Sequence, residues 1–261
     1  MIRSLYTSIS GLITQEAKQD VITNNLANIS TTGYKSDNLI VKNFKDVMIE
    51  NQDKIVNGKN VKNKIGNLSL GSKVDEVYTD YGQGDIGETG ETNDFAISGK
   101  GFFTLRKSTG TNQTQNFYSR DGHFHINSKG YLVDDSGDNV LGVNLSTKKT
   151  EPIYAGSGSI ICSQNGQISI NGEKKYNFDI SDFTDYNTLK KVGDNLYEGG
   201  GGVHSGNDFS IKQKALEKSN VNVTSEFVNM MTTMRKFESN QKIVQSIDET
   251  LDKAVNTLGS M

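Results

Sequence analysis

Apolar side chains in the first 29 residues recur at helical spacing. Ile2, Leu5, Ile9 and Leu12 lie 3, 4 and 3 residues apart, followed by Ala17, Val21, Ile22, Leu26 and Ile29. This narrow stripe predicts an amphipathic helix about 40 Å long. The end of the chain repeats the pattern more strictly. Phe227, Met230, Met234, Phe237, Val244, Leu251, Val255 and Leu258 fall on one seam of alternating three- and four-residue steps, with Gln241 and Asp248 in two of its slots. In NVTSEF, Thr224 or Ser225 supplies a helix cap and Glu226 lies in the first turn, while Gly259 supplies a stop. A helix over 224–258 would be roughly 50 Å long. Its 3.5-residue period favours coiled-coil packing, and polar seam positions suit choice of register or partner.

Between the helices, residues 36–215 follow a different rule. Short alternating runs such as FAISGKGFFTLRK, FYSRDGHFHINSKGYLVDDSGDNVLG and QNGQISINGEKKYNFDI are separated by turn dipeptides. Asn165-Gly166 and Asn171-Gly172 suit type I′ hairpin turns, whose central residues need positive φ. Residues 50–67, ENQDKIVNGKNVKNKIGN, are polar and unpatterned and read as a flexible loop, and GGGGVHSGN at 199–207 reads as a connector. The expected class is α+β: residues 1–35 and 216–261 form a helical polymerisation domain, and 36–215 a central antiparallel β domain. Neither terminal stripe can be buried well on a small β module lying between the helices in sequence. The economical solution is packing of the helices on each other and on neighbouring copies.

Composition sharpens this picture. The chain has 261 residues, 33% of them hydrophobic, with 27 glycines, one proline (Pro152) and no tryptophan. That is too polar for one large core, yet too periodic for wholesale disorder. Net charge is −3 with both signs interspersed, so nucleic acid is a poor partner. A lone cysteine, Cys162, excludes an intramolecular disulfide framework and a multi-cysteine metal site. No run approaches the ~20 apolar residues of a membrane span. The N-terminus lacks the continuous apolar core and small-residue cleavage site of a secretory signal, so these features alone imply a cytoplasmic protein.

Catalytic chemistry finds little support. His123 and His125 alternate on a strand and face one side, but no third metal ligand is evident, and His204 sits in a glycine-rich loop. DDSGDN at 134–139 lacks the spacing and closing glutamate of a calcium loop and reads as a hairpin turn. ISGKGFF carries no phosphate-binding loop. No cofactor, metal or small-molecule substrate is implied.

Three motifs carry a family resemblance. ITNNLANISTTGYK resembles the N-terminal signature of the flagellar axial proteins, the rod and hook family, through Asn25, Leu26, Ala27, Asn28, Thr31, Gly33, Tyr34 and Lys35. The lead-in SNVN at 219–222, with Arg235, Phe237 and Glu238 beyond it, resembles the family's terminal helix. NDFAISGKGFF (93–103) and FYSRDGHFHINSKGYLVDDSGDNVLG (117–142) resemble its central β signature. By length and its single central domain the chain resembles the distal-rod type, with a proximal rod paralogue or a short hook-type subunit as alternatives. The resemblance implies a non-enzymatic subunit of the basal body, exported unfolded through the flagellar type III apparatus without signal cleavage. It would stack helically with itself, and meet other rod proteins and hook subunits, in a hollow drive shaft. This expectation replaces the cytoplasmic one.

The packing residues so implied are Leu5, Ile9, Leu12, Asn24, Asn25, Leu26, Asn28, Phe227, Met230, Met234, Phe237, Val244, Leu251 and Leu258, with Gly33 and Tyr34 at the joint to the β domain. The asparagines carry two readings: simple termination of the first helix, or amide hydrogen bonds that set register between subunits. Two other classes stay open on the residues alone. One is a secreted β adhesin or interaction module; the other is a hydrolase or metalloprotein using His123 and His125.

Overall fold

A computed structural model describes residues 2–56, 59–109, 113–199, 203–204 and 209–258. The protein is α+β, with a helix at each end and antiparallel strands between them. It divides into two compact units. The first comprises Met1–Leu26, Asp37–Thr79 and Asn222–Met261; the second comprises Ala27–Ser36 and Asp80–Val221.

In the first unit, α1 (Ile2–Ala27) and α2 (Val223–Leu258) accompany two antiparallel ribbons. The strand β1 (Asp37–Asn43) belongs to one, and β2 (Val47–Val56) pairs with β3 (Lys59–Leu68) in the other. The first ribbon is completed by β4 (Ser72–Thr79) against β1. Residues 37–79 thus group with the helices, and residues 27–36 and 216–221 with the second unit. Residues 50–56 and 59–67 are not a loop but antiparallel strands in β2 and β3. The segment lacks hydrophobic alternation, which leaves no periodic signal to read. Asn222, rather than Thr224 or Ser225, caps α2: its Oδ1 accepts from the Ser225 N–H at 3.0 Å. Gly259 lies outside the described residues.

The second unit is a β structure built around β7 (Phe102–Thr109), after β5 (Ile86–Glu88) and β6 (Phe95–Gly99). Three segments flank β7: β8 (Gln113–Ser119), Asn139–Asn144 and Ile180–Asp182, all antiparallel to it. Phe102 and Phe103 are adjacent and so point to opposite faces, yet both are fully buried; the sheet is covered on both sides. Phe103 packs with Phe95, Phe124 and Phe178 in the main core, ring centres 5.0–6.4 Å apart. Phe102 packs with Phe183, Leu189 and Tyr197 in a smaller one. Asn171 and Gly172 take φ 53° and 86°, the expected type I′ turn. At Asn165-Gly166 only the glycine is left-handed (φ 78°) and its N–H reaches the Ser163 carbonyl, so that hairpin is not type I′.

Candidate functional site

Two features stand out: the faces of the terminal helices in the first unit and a buried charge cluster in the second. On α2 the half-shielded positions run Glu226, Met230, Thr233 (buried), Phe237, Asn240, Val244, Ile247, Leu251 and Ala254, in strict four-three alternation. This line keeps Met230, Phe237, Val244 and Leu251 from the expected seam. It replaces the other half with smaller or polar residues. The expected partners Phe227 and Met234 stand 52% and 42% exposed, and Val255 is 68% exposed. Leu258 closes the helix, but its side chain lies outside the described residues.

The shielded line of α2 meets α1 in antiparallel register. A Cβ on Gly11 would stand 2.8 Å from the Asn240 amide nitrogen, so glycine is needed for that approach. One turn-and-a-half from the end of α1, Lys18, Ile22 and Asn25 share a cleft with Glu226 and Asn229. Both contacts fit one constant offset between the two helices. Small polar residues make much of this face: Ser8, Thr14 and Thr233 are buried. Thr14 Oγ1 also lies 3.3 Å from Ser72 Oγ at the start of β4. Leu5 and Leu12 are half-shielded, whereas Ile9 is exposed.

The asparagines divide in role. Asn25 is 1% exposed, and its amide is committed inside the chain. Nδ2 donates to the Asp37 carbonyl at 2.9 Å, and Oδ1 accepts from the Asp37 N–H at 3.0 Å. The side chain thus bonds the backbone at the start of β1 in the manner of a neighbouring strand. Asn28 Oδ1 accepts from Thr31 Oγ1 at 3.2 Å within the turn that follows α1. Asn24 is exposed and Leu26 half-shielded.

In the second unit, Gly33 has φ 66°, and a Cβ there would meet the Arg120 carbonyl carbon and Asp121 nitrogen at 2.5 Å. Its N–H donates to the Glu217 carbonyl at 2.8 Å. Tyr34 is buried with the Lys191 ammonium 4.1 Å above its ring. Lys35 follows, wholly buried, with Nζ 2.5 Å from Glu217 Oε1 and 2.8 Å from the Gly82 carbonyl. Arg120 approaches Glu217 Oε2 at 3.2 Å, reaches the Gly99 carbonyl at 2.9 Å and lies over the Phe102 ring. Burial holds the Lys35 ammonium below its ordinary pKa, partly countered by Glu217. One carboxylate therefore pairs with two buried cations. Sequence reading missed Glu217 and Arg120. The available signal was that Lys35 and Arg120 sit inside two of the family-like motifs and Glu217 lies two residues before the SNVN lead-in of the third.

The remaining titratable candidates hold no such cluster. His123 Nδ1 lies 2.7 Å from the buried Asp94, whose carboxylate raises the imidazole pKa. His125 stands 3.9 Å from Asp135. Among the described residues no group of His, Cys, Asp or Glu is arranged to hold a metal ion. The Cys162 thiol is pushed up to about 12 by burial, which makes it a poor nucleophile.

Helix-bracketed β structure, apolar residues displayed along the helices, and a charge cluster inside the fold define a packing protein whose working parts are surfaces. The sequence comparisons agree with that class. Residues 5–35 match the family described as flagella basal body rod protein, 96–175 match the flagellar hook protein FlgE/F/G D1 domain, and 212–257 match the flagellar basal body rod FlgEFG protein C-terminal. The flagellar basal-body rod protein FlgG of Bacillus subtilis (strain 168) is 34% identical, covering 98% of this chain and 99% of the relative. FlgG of Buchnera aphidicola subsp. Schizaphis graminum is 32% identical over 97% of this chain and 98% of its own. The flagellar hook-basal body complex protein FlhO of Bacillus subtilis is 29% identical over the full length of both. The chain belongs to the flagellar basal-body rod protein family, a family of structural proteins rather than enzymes.

Proposed function

We propose that the protein is a distal-type subunit of the flagellar basal-body rod that polymerises helically into a hollow shaft carrying torque from motor to hook. The observation that carries this reading is where apolar surface is left open. Among the described residues, every large hydrophobic exposed to solvent belongs to the first unit except Leu145, Tyr154, Ile161 and Val192. On α2 alone Phe227, Val228, Met231, Met234, Ile243 and Val255 are exposed. Such a surface on an otherwise polar chain marks an interaction site. Its natural occupants are the same helices of neighbouring copies, packed as coiled-coil layers. A non-closing head-to-tail contact of this kind yields a filament.

The partners in this reading are further copies of the chain, other rod proteins and hook subunits, with delivery by the flagellar type III export apparatus and residence in the basal body. Residues 50–67, within the β2–β3 hairpin, stiffen the rod by contacting an adjacent subunit. Removing residues 224–261 tests the reading. Loss of rod assembly and motility is expected; a truncated chain that still assembles overturns it.

A further inference from the structure

The buried cluster in the second unit joins three segments far apart in sequence. The incoming segment is residues 31–36, the middle one 80–85 and the outgoing one 215–220. Glu217 Oε1 accepts from Lys35 Nζ and from the Gly84 N–H at 2.9 Å, while its own carbonyl accepts from Gly33. Three residues on, Asn220 Oδ1 accepts from the Ser36 N–H at 2.8 Å, and its Nδ2 donates to the Asp80 carbonyl at 2.8 Å. The Asp80 N–H in turn donates to the Ser36 carbonyl at 2.8 Å. Every segment is thus bonded to both others.

Two physical features set this cluster apart from the sheet. Within these segments Tyr81 packs on the smaller apolar core, against Phe102, Tyr186 and Tyr197, but the links described between the segments are ion pairs and hydrogen bonds. Those forces fail together: without Glu217, Lys35 and Arg120 become buried cations with no anion between them, and each would have to leave for water. The ion pair also closes a span of 182 residues, a contact whose loop entropy must be met before it rewards the chain.

We propose that residues 31–36, 80–85 and 215–220 form one cooperative latch, keyed by the Glu217 carboxylate, which opens and shuts as a unit while the sheet stays folded. The latch makes ordering of the incoming segment conditional on arrival of the outgoing one. Since the first leads directly from α1 and the second directly into α2, both connections to the terminal helices are fixed or released in one step.

Amide hydrogen exchange on the full-length chain tests this, comparing wild type with Glu217→Gln. The amides of Gly33, Ser36, Gly84 and Asn220 are expected to accelerate together by ~100-fold. Those of Thr104, Ile153 and Phe178, bonded within the sheet structure, should change by less than about threefold. Acceleration of Gly84 alone, equal acceleration of the sheet amides, or no change overturns the proposal. Should Glu217→Gln fail to fold, Asn220→Ala removes no charge and contacts neither Gly33 nor Gly84 through its side chain. Concerted acceleration of Gly33, Ser36 and Gly84 by about tenfold supports the latch; a change confined to Ser36 overturns it.

Discussion

Asn25 offers the sharpest test of how the first unit is held together. Substitution to alanine removes both side-chain bonds to the Asp37 backbone, next to a nearly closed surface. Each buried hydrogen bond lost costs about 0.5–1.5 kcal/mol and up to about 3 kcal/mol where a group is poorly re-solvated, so the pair predicts a loss of about 1–6 kcal/mol. The lower end applies if water reaches Asp37. Asn25→Asp keeps the shape and the acceptor for the Asp37 N–H. It loses the donor to the carbonyl and places a second carboxylate near that of Asp37, which already accepts from Thr79 Oγ1 at 2.7 Å. Its penalty should therefore match or exceed that of alanine at neutral pH and shrink in acid. Urea unfolding followed by far-ultraviolet circular dichroism measures both, and exchange at the Asp37 amide localises the effect. Stability of Asn25→Ala within about 0.5 kcal/mol of wild type would refute the bridging role, because surface asparagines change that little.

Other expectations are more compact. Gly33→Ala places a methyl against the Arg120–Asp121 backbone in a left-handed conformation and should cost about 2–5 kcal/mol by thermal or chemical unfolding. His123 has a folded pKa raised by Asp94, so its contribution is complete below the unfolded pKa near 6.5 and fades as pH climbs through the folded value. A midpoint that declines as pH rises above the unfolded pKa near 6.5, and that His123→Gln flattens, would bear this out. Cys162 should react with a thiol reagent at about pH 8 far more slowly in the native chain than after denaturation, and equal rates would contradict its burial. Deleting residues 50–67 should leave the second unit's unfolding unchanged while rods become shorter or bent, and straight, full-length rods with normal motility would remove the hairpin's proposed role.

The hydrophobic pattern revealed both helices and the β character of the middle, because helices and half-buried strands leave periodic traces. It did not mark the line of α2 that α1 covers. A seam built from Thr233, Asn240 and Ala254 is invisible to a search for large apolar residues, while Phe227 and Met234, which such a search favours, lie outside the intrachain contact. The β2–β3 ribbon was lost for the opposite reason, since residues 50–67 carry no hydrophobic alternation at all. Asn25 illustrates a third limit. The sequence shows that an amide is present, but whether it bonds within the chain or beyond it depends on where Asp37 is brought, twelve residues later. Lys35 and Arg120 stood in the quoted motifs and Glu217 two residues before one; pairing charges 97 and 182 residues apart requires the fold.

The central claim is that the open stripe of α2 is an assembly surface and not part of the subunit's own core. Full-length chain carrying Phe227→Asp and Met234→Lys, expressed in cells lacking their own copy, puts it to the test by electron cryotomography of the basal body. Both residues are substantially exposed in the isolated chain, so purified protein should unfold within about 0.5 kcal/mol of wild type. The account predicts truncated rods, no hook and non-motile cells. Complete rods in motile cells, from a subunit carrying charges at both positions, would contradict it.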